Sequence, residues 1–206
     1  MTSACTSMNS AFASCNSLRE IDTTGWDTSN VTTMASCFSA CTNLYRLDVS
    51  GFNTSACTSM AYMFEYVYKL KHIDVSGFDT SKCTSFAYMF RSAIRLEDLD
   101  VSHFNTEKVT SMTYMFSGCY CLEELDLSSF DTSAVTDMSY MFNACRGLKS
   151  LDIHTFDTSK VKNVSYMFDL CTSLSNVKFP AWDLSACVAF REWMNGALVI
   201  PSLDFS

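Results

Sequence analysis

Apolar and polar positions repeat along this chain with a constant step of 26 residues. Ile21, Leu47, Ile73, Leu99, Leu125, Leu151 and Val177 mark equivalent points, with no insertion between them. A period of this size predicts a solenoid, in which each unit buries its apolar face against its neighbours. A leucine stands three residues before each of these anchors, as in Leu44, Leu70, Leu96, Leu122, Leu148 and Leu174. The second residue after the anchor is also apolar, as in Val49, Val101 and Leu127. The resulting L-x-x-L-x-L alternation predicts a short half-buried strand, and successive strands stack as a parallel sheet at about 4.8 Å per coil.

The rest of the unit is as regular. The sixth position is always aromatic, from Trp26 through Phe52 and Phe104 to Trp182, and is expected to turn inward at the sheet edge. Asp or Asn follows, then Thr and usually Ser, side chains that bond nearby backbone in Asx-turns. A "V-T-x-M" stretch reads as briefly extended. The segment "Y-M-F-x-x-C-x-x-L" then places Met115, Cys119 and Leu122 at i, i+4 and i+7, which predicts a short helix returning to the next strand. Val31, Met34, Ala35 and Phe38 have helical spacing too, so the helix is allowed an earlier start.

The fragment "ACTSMNSAFASCNSL" matches the second half of a unit, and "SLDF" after Pro201 begins another, so the chain holds about seven and a half coils. This gives one solenoid domain over 1–206. Residues 1–20 are a partial N-terminal coil, 21–176 six regular coils, and 177–206 a divergent capping coil. In that last coil Lys178 replaces the recurrent Asp, Pro180 withdraws a ladder donor, and Trp193 replaces Met.

Strands of L-x-x-L-x-L with one short helix per coil resemble leucine-rich repeats. The unit "LDLSSFDTSAVTDMSYMFNACRGLKS" resembles the bacterial surface-protein 26-residue repeat, akin to BspA-like leucine-rich repeats of cell-surface and lipoprotein arrays. The resemblance implies an α/β fold: a leucine-rich-repeat-like solenoid with a parallel sheet on one face and short helices on the other. It also implies a binding or adhesion module at the cell surface or secreted, recognising a protein on its concave sheet face. One departure is that Phe or Trp takes the place of the usual ladder asparagine. Another is that "MTSACTSMNSAF" has no basic or apolar signal region, so no signal peptide is expected.

The net charge of -8 and a pI near 4.7 argue against nucleic acid as a partner and permit basic partners or cations; the expected partner is a basic or mixed-charge protein. No apolar run reaches membrane-spanning length. The 11 cysteines behave as core residues. Cys5, Cys57, Cys83 and Cys187 share a position with Val31, Val109, Val135 and Val161, while Cys15, Cys41, Cys119, Cys145 and Cys171 share one with Val67, Ala93 and Ala197. Thiols that alternate with Val and Ala are expected to be reduced and buried, which also suits an intracellular member. Adjacent-coil pairs such as Cys57 with Cys83 would lie within disulfide reach under oxidation. Cys121 falls off both columns and is the expected reactive thiol.

No catalytic constellation, phosphate loop or metal-ligand spacing is present, so an enzyme, a metal and a cofactor are not expected. Columns of Tyr62, Tyr88, Tyr114, Tyr140 and Tyr166, and of the neighbouring Met and Phe residues, are expected to pack between coils. The Asp column has two readings: an acidic binding stripe, or a backbone-bonded ladder that maintains a turn. Identity lies in the variable residues before each anchor. The expected concave-face contacts are Arg46, Asp48, His72, Asp74, Asp98, Asp100, Glu124, Asp126 and Asp152. The alternative function is a structural spacer or a stalk segment that self-associates through its N-terminal end; a metal-dependent protein or enzyme is the third and least favoured reading.

Overall fold

The computed structural model describes residues 4–179 and 181–196. The readings made on Pro180, Ala197, Pro201 and the "SLDF" segment lie outside the described residues. Equal chain lengths wind into equal turns, so like residues form columns. Four short strands are present: β1 (Glu20–Ile21), β2 (Arg46–Leu47), β3 (Ser150–Asp152) and β4 (Asn176–Lys178). β1 pairs with β2, and β3 with β4, both parallel and in the register the period dictates. Between these pairs only an isolated bridge, His72 to Asp98, continues this ladder among the described residues.

Two hydrogen-bonded corners leave the strand face. At the first, the Asp after the anchor accepts from the backbone N–H two residues on, as Asp48 Oδ1 does from Ser50 at 3.0 Å. The aromatic residue closes that corner by donating to the carbonyl three residues back: Phe52 N–H bonds Val49 O at 3.0 Å, and Phe52 is buried. At the second corner Asp131 Oδ1 accepts from Ser133 N–H at 2.8 Å.

Within the second corner runs a column the Asx reading did not resolve. Thr28, Thr54, Thr80, Thr106, Thr132 and Thr158 are buried. Each hydroxyl in the run from Thr28 to Thr132 donates to a backbone carbonyl of the next coil, as Thr80 does to Asn105 O at 3.1 Å. Thr80 Oγ1 also accepts from Asn105 N–H at 2.7 Å. A side-chain ladder therefore exists, built from threonine. Beyond it, parallel bridges link Ser85, Ser111, Asp137, Asn163 and Ala189, where "V-T-x-M" was expected to be extended.

The expected helices are absent from the described residues. In their place, each coil makes a ribbon of overlapping turns. Met115 N–H bonds Met112 O, Ser117 N–H bonds Tyr114 O, and Cys119 N–H bonds Phe116 O. The intervening amides leave the coil: Met112, Tyr114, Phe116 and Gly118 donate to Asp137, Ser139, Met141 and Asn143. An α-helix would keep all these bonds inside one coil. Here half of them cross to the next, which a stacked solenoid rewards. The geometry requires left-handed backbone at two places per coil, at Tyr62, Tyr88, Tyr114, Tyr140 and Tyr166 (φ 58 to 63) and at Gly118 and Ala144 (φ 74 and 56). Turns of three residues have nearly the helical period, so the pattern of Met115, Cys119 and Leu122 suits either structure.

The core is a bundle of columns. Phe12, Phe38, Phe64, Phe90, Phe116, Phe142 and Phe168 stack with centroids 5.4 to 6.1 Å apart. Each fully buried Phe contributes about 1.5–3 kcal/mol through removal from water. Cys41, Cys119, Cys145 and Cys171 are buried beside them, and their thiols donate to carbonyls of the preceding coil, as Cys119 does to Phe90 O. Cys37 is buried in the methionine column. Cys121 is exposed.

Candidate functional site

The strand face is set by alternation. The anchors Leu47, Ile73, Leu99, Leu125 and Leu151 point into the core, so the residues on either side of them point out. Arg46, Asp48, His72, Asp74, Asp98, Asp100, Glu124 and Asp126 are exposed, and Asp152 is half-buried. The structure thus brings all nine sequence-selected residues onto one face, in two columns flanking the anchors.

Charge is distributed unevenly along these columns. Toward the N-terminal side, His72 Nδ1 lies 2.9 Å from Asp98, and Lys71 pairs with Glu97 at 2.5 Å. Toward the C-terminal side Lys149 pairs with Glu123, while His154 and Lys178 both pair with Asp152. Asp100, Glu124 and Asp126 lie between these groups and form no ion pair among the described residues. An open cleft of about 810 Å³ lies here, lined by Glu97, Asp98, Asp100, Glu123, Glu124 and Asp126, with Ser102 and Cys121 at its wall. No strand pairing joins residues 98–100 to 124–126 among the described residues.

The carboxylates on this face are held in place rather than merely displayed. Asp100 Oδ1 accepts from Ser102 Oγ at 2.7 Å and from Ser102 N–H at 2.9 Å. Those two bonds hold the Asp100 carboxyl below its ordinary range. Asp126 is lowered chiefly by the backbone N–H of Ser128 and then by its side chain, against opposition from Asp100 and Asp152. Asp48 and Asp74 are lowered in the same way by Ser50 and Ser76. The Asp column therefore maintains a turn and presents fixed negative charge with the remaining oxygen. The two readings of the column are compatible, because one oxygen serves each.

Sequence reasoning did not put Glu97 and Ser102 at the cleft. The charges one residue earlier, Lys71, Glu97, Glu123 and Lys149, were the available signal. A second group gathers on the turn ribbon, where the tyrosine column meets Arg91. The Arg91 guanidinium lies 4.9 to 5.4 Å from the rings of Tyr66, Tyr88 and Tyr114, and pairs with Glu65 at 3.2 Å. The tyrosine column stacks at 4.3 to 4.7 Å. Partial burial, then the neighbouring Tyr140, pushes the Tyr114 phenol up to about 12. Among the described residues no group of three or more His, Cys, Asp or Glu is arranged to hold a metal ion, and no helix is long and apolar enough to cross a membrane.

The architecture has solved counterparts. A leucine-rich repeat protein from Bacteroides ovatus superposes with a TM-score of 0.60 at 20% identity, over 94% of this chain and 46% of its own. A leucine-rich repeat protein from Eubacterium ventriosum gives 0.47 at 20% identity, over 86% of this chain and 59% of its own. The first establishes a leucine-rich-repeat fold, and the chain spans less than half of that protein's length. No curated protein matches the chain. A family profile matches residues 6–120 and 93–202, which together take in nearly every coil described above. The chain belongs to the family described as Mycoplasma protein of unknown function, DUF285.

Proposed function

We propose that this chain is a non-catalytic protein-recognition module that binds a basic or mixed-charge protein through its acidic strand face. The observation that carries the reading is the central cleft, where Asp100, Glu124 and Asp126 present carboxylates without a cation between them. Hydrogen bonds to Ser102 and Ser128 fix two of those groups before any partner arrives, which lowers the ordering cost of binding. Fixed charge on an open face favours fast, salt-sensitive association. The repeat's resemblance to BspA-like surface arrays supports placing this recognition at a cell surface, as part of adhesion.

The test uses a labelled deca-lysine peptide as a probe of the cleft. Asp100→Asn, Glu124→Gln and Asp126→Asn together remove three charges while the two asparagines keep an acceptor for the Ser102 and Ser128 amides. Binding followed by fluorescence anisotropy is expected to weaken at least tenfold in the triple variant, and to weaken with added salt in the parent. Equal affinities for parent and variant would place recognition elsewhere.

A further inference from the structure

The flank that carries the chain from the turn ribbon back to the strand breaks the repeat's rules in its inner coils. The outer coils place Asn16 and Ser17, Thr42 and Asn43, and Thr172 and Ser173 there. These small polar residues satisfy the coil, since Thr42 Oγ1 donates to Asn16 Oδ1 and Asn43 Nδ2 donates to Asn16 O at 2.7 Å. The inner coils place Tyr68 and Lys69, Ile94 and Arg95, Tyr120 and Cys121, and Arg146 and Gly147 at the same points. Winding the chain does not require those larger groups. Tyr68 is 37% exposed and Tyr120 39% exposed, so the core does not need them either.

These side chains are arranged. Arg146 sits 4.8 Å over the Tyr120 ring. Tyr68 meets Tyr66 edge-on at 5.9 Å, and Tyr66 in turn lies under Arg91. Aromatic rings stiffened in this way, set beside arginines, have the composition that dominates binding energy at protein interfaces. Charge adds direction. Lys71, Lys149 and Lys178 each have a carboxylate partner, whereas Lys69, Arg95 and Arg146 form no ion pair among the described residues. These three cations concentrate positive charge on one flank of a chain with net charge -8, although Arg95 also acts on the nearby Glu97 carboxylate.

We infer that this flank is a second interaction surface, adjoining the acidic cleft at Cys121 but using different residues, and that it takes an extended protein segment carrying carboxylates beside apolar side chains. From Lys69 to Arg146 is three coil steps, about 15 Å, the reach of about four residues of extended chain. Carboxylates of the segment would meet Lys69, Arg95 and Arg146, and its apolar side chains would cover Tyr68, Ile94 and Tyr120.

The experiment measures anisotropy of a labelled peptide that alternates Glu and Leu, with a Lys–Leu peptide as control. The Glu–Leu peptide is expected to bind the intact chain. Lys69→Glu with Arg95→Glu is expected to weaken it at least tenfold. Tyr68→Thr with Tyr120→Thr is expected to weaken it several-fold without unfolding, because Thr stands there in the Thr42 and Thr172 coils. The cleft variant Asp100→Asn, Glu124→Gln, Asp126→Asn should bind it as the parent does, which keeps this surface's failure distinct from that of the cleft. Absence of Glu–Leu binding would overturn the inference, as would indifference to the flank substitutions. So would sedimentation showing a dimer that the same substitutions dissolve, since the occupant would then be a second copy.

Discussion

Replacing Thr80 with Val removes one oxygen, keeps the β-branched shape, and tests whether the threonine column holds adjacent coils together. Thr80 is 2% exposed, and its hydroxyl bonds both backbone groups of Asn105 in the next coil, at 3.1 Å to the carbonyl and 2.7 Å from the amide. An intramolecular hydrogen bond contributes about 1 kcal/mol net, and a buried group left without its partner costs about 1–3 kcal/mol. Asn105 is itself an exposed residue, so water recovers part of the loss. The expected cost is about 2–3 kcal/mol. Thr80→Ser keeps both bonds and loses one methyl, for about 0.8 kcal/mol. Stability in a stacked repeat is a sum over coils and their interfaces, so a single transition midpoint would blur the effect. Urea unfolding should therefore be read together with native-state hydrogen exchange at the Asn105 amide. That amide should lose protection in Thr80→Val and keep it in Thr80→Ser. A Val variant within about 0.5 kcal/mol of the parent, or less damaged than the Ser variant, would refute the ladder as a source of cohesion.

Ala144 holds φ near 56 in the column where Gly118 has φ near 74, so Ala144→Gly is expected to stabilise by up to about 1 kcal/mol; a loss of stability on urea unfolding would contradict the left-handed assignment. The carboxyls of Asp22, Asp48, Asp74, Asp100 and Asp126 are all held below the ordinary 3.8, chiefly by hydrogen bonds to Thr24, Ser50, Ser76, Ser102 and Ser128. Their contribution is fully present above the unfolded value and is lost as pH falls through the folded values. Urea midpoints should hold steady from neutral pH to about 5 and fall below about 4, whereas a loss beginning near pH 6 would implicate other groups. Burial pushes the Cys37, Cys119 and Cys171 thiols up to about 12, so a thiol reagent on the native chain should label Cys15 and Cys121 first, and mass spectrometry finding early label on Cys119 would show the column open.

The period and the columns were legible because a stacked coil must place like residues at like depth. Leu99 and Phe104 could not change character without breaking two neighbouring interfaces. The backbone path through Met112–Cys119 was not legible. Its apolar residues repeat every three or four positions, which an α-helix and a ribbon of overlapping turns satisfy equally. The choice is made by where the Tyr114 and Phe116 amides find acceptors, and that depends on the adjacent coil. A tyrosine in left-handed backbone carries no sequence signature, and its stacked neighbours above and below offset the strain. At the cleft, the outward columns followed from alternation around Leu99 and Leu125. The gap in strand pairing between them did not, and among the described residues it recurs between Leu47 and Ile73 and between Leu125 and Leu151, where the facing residues differ.

The division of amides between turns inside a coil and bonds to the next has a mechanical corollary. Pulling the chain's two ends apart would peel it from an end, breaking the cross-coil bonds one coil at a time. The coil still docked at the end serves as the template on which the next one rewinds. Under load the protein should extend in small, nearly equal increments of one coil and recover with little hysteresis, in the manner of a spring rather than a rupture link.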